Sequence, residues 1–263
     1  MGKMDKKKLL LLGAFLTLSQ SYAVDLIGSV TVEGGPQINR YRGWIQYKGT
    51  RVDLKNDLHL KDKTQYFAAV DIKKGATLAL IPIIPNLKIA YLESETDGTG
   101  VLNANITIGG ISFPVRDRVY SKVRFNQYDI TLYYTPIDVG LASLSWGFGA
   151  KVIDFYEKVK SLTTGKSEDK SATIPVPYLY LKLGVDLPFV HASAEGKGLK
   201  VGGSYFYDWA AKAGIGYSFM HVVRISLDGG YRYQRYRLDD VSDISSDARL
   251  KGAFGELSLT VAF

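Results

Sequence analysis

His191, Ser193 and Glu195 stand at alternate positions in Val-His-Ala-Ser-Ala-Glu, residues 190–195. They are a hydroxyl, an imidazole and a carboxylate, the groups an acyl hydrolase needs. Ser193 would be the nucleophile, His191 its base, and the acid would orient the ring. On a strand the period of two puts all three on one face, with Val190, Ala192 and Ala194 on the other. Such a spacing also arises by chance, and a triad is defined by its geometry. No other constellation competes with it. Cysteine is absent, which excludes disulfides and thiolate metal sites. His59 and His221 fall in a loop and a turn, and no two histidines share a metal-ligand spacing. Gly196-Lys197-Gly198 lacks the strand–turn–helix context of a phosphate loop. No metal and no cofactor are expected.

A second set of chemically active residues is charged and falls on the inner positions of alternating segments. It comprises Glu33, Asp129, Asp208, Asp228 and Glu256 against Lys88, Lys151, Lys182, Lys212, Arg224 and Arg232, with Glu195 on the same parity. Two accounts of these mixed charges stand side by side. They pair into a solid polar core, or they line a narrow ion-permeable lumen.

What must position these residues is a set of strands. Val223, Ile225, Leu227, Gly229, Tyr231 and Tyr233 alternate with Arg224, Ser226, Asp228, Gly230, Arg232 and Gln234, a period of two and not 3.6. Residues 205–219 repeat the pattern, with aromatics at both ends of the apolar stripe, as an interfacial girdle demands. The C-terminal strand carries Phe263, Val261, Leu259 and Leu257 on one face, and its closing Phe resembles the assembly signal of bacterial outer-membrane barrels. Ten strands are predicted, roughly 28–47, 63–72, 87–108, 111–134, 141–160, 172–185, 189–199, 204–219, 222–238 and 250–263, with eight as the alternative. The fold class is therefore all-β, a transmembrane antiparallel up-and-down β-barrel. Phe263 should close it against the first strand, since closure removes exposed backbone edges in lipid.

Three further features fit. Lys3, Lys6, Lys7 and Lys8, the apolar run Leu9–Leu18 and Ser21-Tyr22-Ala23 read as a secretory signal peptide over 1–23, leaving 24–263 as one barrel domain. Removing those four lysines and Asp5 takes the net charge from +7 to +4, too mild and too evenly spread for nucleic acid. The 18 tyrosines and 27 glycines suit aromatic girdles and close strand contacts. Connections after 134, 185 and 219 are short, whereas 48–63, 161–170 and 238–249 read as longer polar links. That asymmetry predicts short periplasmic turns and periplasmic termini. The apolar stretch Ala76–Pro85 is predicted as a short interfacial helix. Gly109-Gly110 reads as a two-residue hairpin turn, so 98–122 forms a tall hairpin whose Arg116, Arg118, Lys122 and Arg124 could reach lipopolysaccharide phosphates or stay solvated.

The His-x-Ser pair resembles that of outer-membrane lipid A deacylases. It follows the short turn at 186–189, however, which puts it at the periplasmic end, away from outer-leaflet lipid A. A broader resemblance covers nearly the whole mature chain. Asp186-Leu187-Pro188, Ser204–Asp208 running into Ala211–Gly214, Gly230-Tyr231-Arg232 with Arg235, Arg237, Leu238, Asp239 and Asp240, Ser94–Gly100 and Asp129–Tyr134 are similar to a family of small bacterial outer-membrane β-barrel proteins of unassigned activity. The resemblance implies fold and location and brings no catalytic or ligand residues. The expectation is a non-enzymatic, monomeric barrel. Its partners are outer-membrane lipid, lipopolysaccharide and the barrel-assembly machinery, and its role is structural or that of a narrow pore. A lipid hydrolase using His191, Ser193 and Glu195, or an adhesin acting through 98–122, are the alternatives.

Overall fold

The structure is a computed structural model that describes residues 27–75, 84–220, 222–241 and 243–263. The signal segment 1–23, most of the apolar stretch 76–85 and His221 lie outside the described residues.

Ten staves close into one antiparallel barrel. They are β1 (Gly28–Tyr47), β3 (Lys63–Lys74), a stave in two parts, β4 (Asn86–Leu92) and β5 (Glu95–Val101), then β8 (Arg118–Asp138), β9 (Ala142–Ser161), β10 (Ser167–Asp186), β11 (Val190–Val201), β12 (Ser204–Phe219), β13 (Val223–Val241) and β14 (Ile244–Ala262). Each pairs with its neighbour in chain order, and β14 returns to β1 in the register Ser29↔Ala262, Val32↔Leu259, Tyr47↔Ile244. Phe263 seals the seam as expected: its N–H donates to Gly28 O at 2.9 Å and its carbonyl accepts from Ile27 at 2.9 Å. This seam removes the open edges of β1 and β14, as a wall without water around it requires, while β5 pairs with β8 alone.

Alternation sorts the side chains. Outward lie Val32, Tyr66, Ile130, Phe148, Leu181, Ile215, Leu227 and Leu257, all exposed. An isolated soluble domain would not leave so continuous an apolar band in water. From Val223 to Tyr233, at about 3.3 Å per residue and a tilt of about 40°, the band stands roughly 25 Å along the barrel axis, the height of a bilayer-facing belt. Its rim away from the termini is aromatic. Trp209 stacks with Tyr233 at 6.0 Å between ring centroids, and Tyr207 with Tyr233 at 5.8 Å.

The predicted strand count and inward parity hold, but several boundaries move. The link expected at 161–170 is half strand, with β9 running to Ser161 and β10 beginning at Ser167, and that expected at 238–249 is mostly strand, with β13 running to Val241 and β14 beginning at Ile244. The long connections beyond the rim are 48–62 and 102–117. The tall hairpin 98–122 is not one piece. β5 stops at Val101, and a separate two-stranded ribbon, β6 (Ile106–Ile108) with β7 (Ile111–Phe113), turns at Gly109-Gly110. Both glycines have positive φ, 59° and 86°, which is the two-residue turn anticipated.

These two connections fold onto each other. Thr50 N donates to Thr107 O at 3.0 Å, and Gly109 N to Tyr47 O at 3.0 Å. The 48–62 segment, which includes the short β2 (Val52–Asp53), is shaped by an Asx turn: Asp53 Oδ1 accepts from Lys55 N at 2.8 Å and Asn56 N at 2.7 Å. Leu54, Leu58 and Leu60 then join Leu102, Ile106 and Phe113, all fully buried, against Tyr41, Val123, Phe155 and Leu250 of the inner wall. The result is an apolar cap across the barrel mouth opposite the termini.

Candidate functional site: the barrel interior

Below the cap the inward faces turn polar, and ten of their charges form one continuous chain of alternating sign. Glu256 contacts Lys212, and Lys212 reaches Glu33 at 3.2 Å. Glu33 meets Lys88 at 2.8 Å, and Lys88 meets Glu195 at 3.3 Å. Glu195 faces Arg232 at 3.8 Å, and Arg232 Nε donates to Asp208 at 3.0 Å. Asp208 lies 3.5 Å from Lys151, which holds Asp129 at 2.8 Å, and Asp129 ends the chain on Lys197 at 2.6 Å. Five carboxylates alternate with five cations, so the chain is electrically neutral. Its members come from β1, β4, β8, β9, β11, β12, β13 and β14, so it crosses the lumen from wall to wall.

Neutral polar groups complete the layer. Lys151 Nζ donates to Gln127 Oε1 at 2.8 Å, Tyr236 OH donates to the same oxygen at 2.9 Å, and Gln234 donates to Asp208 at 2.8 Å. Lys151 also lies over the Phe206 ring and Lys197 over the Tyr178 ring, at 5.5 and 5.6 Å. Removing charges from water costs several kcal/mol per ion, and the cost is recovered only with close partners on each remaining lone pair and proton. Alternation along one chain meets that condition with few side chains.

The predicted interior residues fall into two groups. Glu33, Lys88, Asp129, Lys151, Asp208, Lys212, Arg232 and Glu256 enter the chain, together with Glu195. Lys182, Arg224 and Asp228 do not. They line an open vestibule at the terminus end, about 1260 Å³ including the solvent at its mouth, among Ser29, Thr31, Ser258 and Thr260. Lys182 has no ion-pair partner among the described residues. Lys197 was missed, although the count of two that places His191, Ser193 and Glu195 inward continues to it.

The His191, Ser193 and Glu195 trio shares a face, as predicted, without forming one unit. Glu195 belongs to Lys88 and Arg232. The acid beside His191 is Asp228, with Nε2 2.6 Å from Oδ1, while Nδ1 lies 3.3 Å from Arg224 Nη2. The register explains the pairing. His191 pairs with Gly214, which pairs with Asp228, and a glycine between them leaves the space across β12 open. A Cβ at Gly214 would lie 2.6 Å from Asp228 Oδ1. Both imidazole nitrogens thus face groups other than Ser193. Among the described residues no cluster of three or more His, Asp or Glu is arranged to hold a metal ion.

An all-β wall closed on itself, an apolar outer band and an ion-paired interior define an outer-membrane type of β-barrel with a polar, salt-bridge-rich lumen. Solved structures with a similar chain path include the outer membrane protease OmpT from Escherichia coli (9% identity, 94% of this chain and 100% of that chain, TM-score 0.41). Others are Ail, the attachment invasion locus protein of Yersinia pestis, in complex with the heparin analogue sucrose octasulfate (12%, 88% and 99%, 0.35), and the toluene transporter TodX of P. putida (8%, 90% and 90%, 0.34). No protein-family model and no curated protein sequence matches the chain.

Proposed function

We propose that this chain is a non-enzymatic outer-membrane barrel whose lumen is shut. It stands as a rigid membrane platform with both termini periplasmic and the 48–62 and 102–117 segments at the cell surface. The observation that carries this reading is the neutral ion chain spanning the lumen beneath an apolar cap. A conducting lumen needs a continuous file of water and charges free to exchange partners. Here the chain's charges are committed to one another, and the mouth is filled with leucine, isoleucine and phenylalanine.

Orientation is supported by the connections. The long 48–62 and 102–117 segments lie at the end away from both termini, as extracellular loops do, while the connections between β8 and β9, β10 and β11, and β12 and β13 at the terminus end are short. The arrangement of the trio supports the absence of catalysis. Ser193 makes no hydrogen bond to the imidazole, and the acid expected to orient it is held in the ion chain. The resemblance to small outer-membrane barrels of unassigned activity fits the same role.

Liposomes of phosphatidylethanolamine and phosphatidylglycerol test this reading. Vesicles containing the refolded chain, diluted into iso-osmotic arabinose, are expected to swell no faster than protein-free vesicles. Swelling at several times the protein-free rate would refute a shut lumen.

A further inference from the structure

We infer that the outer wall of β1, β14 and β13 carries a docking surface for a phosphorylated outer-leaflet glycolipid of the lipid A kind. The inference rests on the membrane reading above and goes beyond it, to a particular lipid and a particular face.

Just above the aromatic rim, the register sets like charges side by side. Arg42 pairs with Arg249, and Arg249 with Arg235; one step lower, Arg40 pairs with Lys251. Arg237, also outward, completes a group of six cations. Like charges directly opposite one another weaken an antiparallel pair, so a sheet carries such a row only with anions to answer it. Within the protein there are few. Arg235 clamps Asp247 through two nitrogens, at 2.6 and 2.8 Å, and Arg249 shares that carboxylate at 3.5 Å. Arg42 lies 3.1 Å from Asp62. Arg40, Lys251 and Arg237 have no acid within ion-pair distance among the described residues.

The opposite wall also sets two like charges in register, Lys122 opposite Lys158, but there acids stand beside the bases. Lys122 reaches Glu95 at 2.8 Å, Arg124 faces Asp154 at 3.1 Å, and Lys158 has Asp169 as its cross-strand neighbour on β10.

The height of the cations selects the occupant. The stacked Tyr207, Tyr233 and Trp209 lie at the same level on β12 and β13, where the apolar band ends and lipid headgroups begin. Guanidinium groups bind phosphate through paired N–H donors, and three arginines in register offer several such forks. A glycolipid with two phosphates on a sugar core would set its phosphates on the arginine row, its sugars against the aromatic rings and its acyl chains down the apolar band.

The test uses the full mature chain refolded in detergent, each variant first shown to be a barrel by its heat-dependent gel shift. Binding of hexa-acylated, bisphosphorylated lipid A is measured by native mass spectrometry. The Arg40→Gln, Arg249→Gln, Lys251→Gln triple variant is expected to weaken binding at least tenfold. Lipid A stripped of its phosphates should bind the parent chain equally poorly. A triple variant on the other wall, Lys122→Gln, Lys158→Gln, Lys160→Gln, should stay within twofold. Equal weakening by the two triples, or undiminished binding of dephosphorylated lipid A, would overturn the inference. So would full displacement by millimolar pyrophosphate, which would reveal a site for a free anion and not for a lipid. A parent chain that never shows the gel shift would instead break the membrane reading on which the inference rests.

Discussion

Replacing Lys151 by methionine is expected to lower the stability of the barrel by about 3–5 kcal/mol, the usual cost of breaking a buried ion pair from one side. Lys151 is the residue on which the interior converges, holding Asp129 at 2.8 Å, Asp208 at 3.5 Å and Gln127 at 2.8 Å with its own side chain almost wholly buried. Methionine has similar bulk, so the loss is electrostatic. It leaves Asp129 with Lys197 alone and gives a neutral chain a net negative charge. Urea unfolding followed by the gel shift in detergent or liposomes reads the change. Lys122→Met is the comparison. Its pair with Glu95 is about one-third exposed, and such pairs contribute about 1 kcal/mol or less. If Lys151→Met cost no more than Lys122→Met, water would have to be solvating the interior charges, and the lumen would be wet.

The cap predicts a different kind of loss. Phe113 is fully buried among Leu54, Leu58, Leu102 and Ile106, and truncating a buried phenylalanine to alanine costs about 3–5 kcal/mol. The cap is built from two connections and contributes no stave to the barrel; it is tied to the wall at one side, through β2 on β1 and Gly109 N on Tyr47 O. The cost of Phe113→Ala should therefore appear as local opening. With a factor of ten for each 1.4 kcal/mol, proteolysis within 102–117 is expected to speed up by roughly 100-fold or more. The temperature of the gel shift should move little. A large fall in that temperature with unchanged proteolysis would mean that the cap and the wall melt as one unit.

The legible part of this fold is the part that lies against lipid. There one face must be apolar and the other fills a narrow interior, so the period of two is enforced on every strand and the inward parity of Glu33, Asp129, Lys151 and Arg232 could be read directly. Above the rim the outer face meets water and the constraint disappears. The upper ends of β13 and β14, with Arg235, Arg237 and Asp239 on one and Asp247 and Arg249 on the other, are polar in composition and resemble a loop although they are paired strand. The cap was obscured for the opposite reason. Leu54, Leu58 and Leu60 lie in a segment otherwise rich in Lys and Asp, and nothing in their spacing says that they turn inward over the mouth. The partner of His191 was not legible at all. Asp228 reaches it through the register of three strands and an empty position at Gly214, which only the closed sheet defines. Lys197 was within reach of the same parity count, since it stands two residues after Glu195 in the strand predicted over 189–199.

The central claim is that ten paired charges and an apolar cap shut this barrel. Single-channel recording of the refolded mature chain in a planar bilayer at 1 M KCl tests it most directly. With insertion verified by the gel shift on the same preparation, the expected record is flat, without discrete steps at either polarity. Reproducible unitary steps of one size, scaling with salt concentration, would show an open ion path through the lumen and contradict the claim.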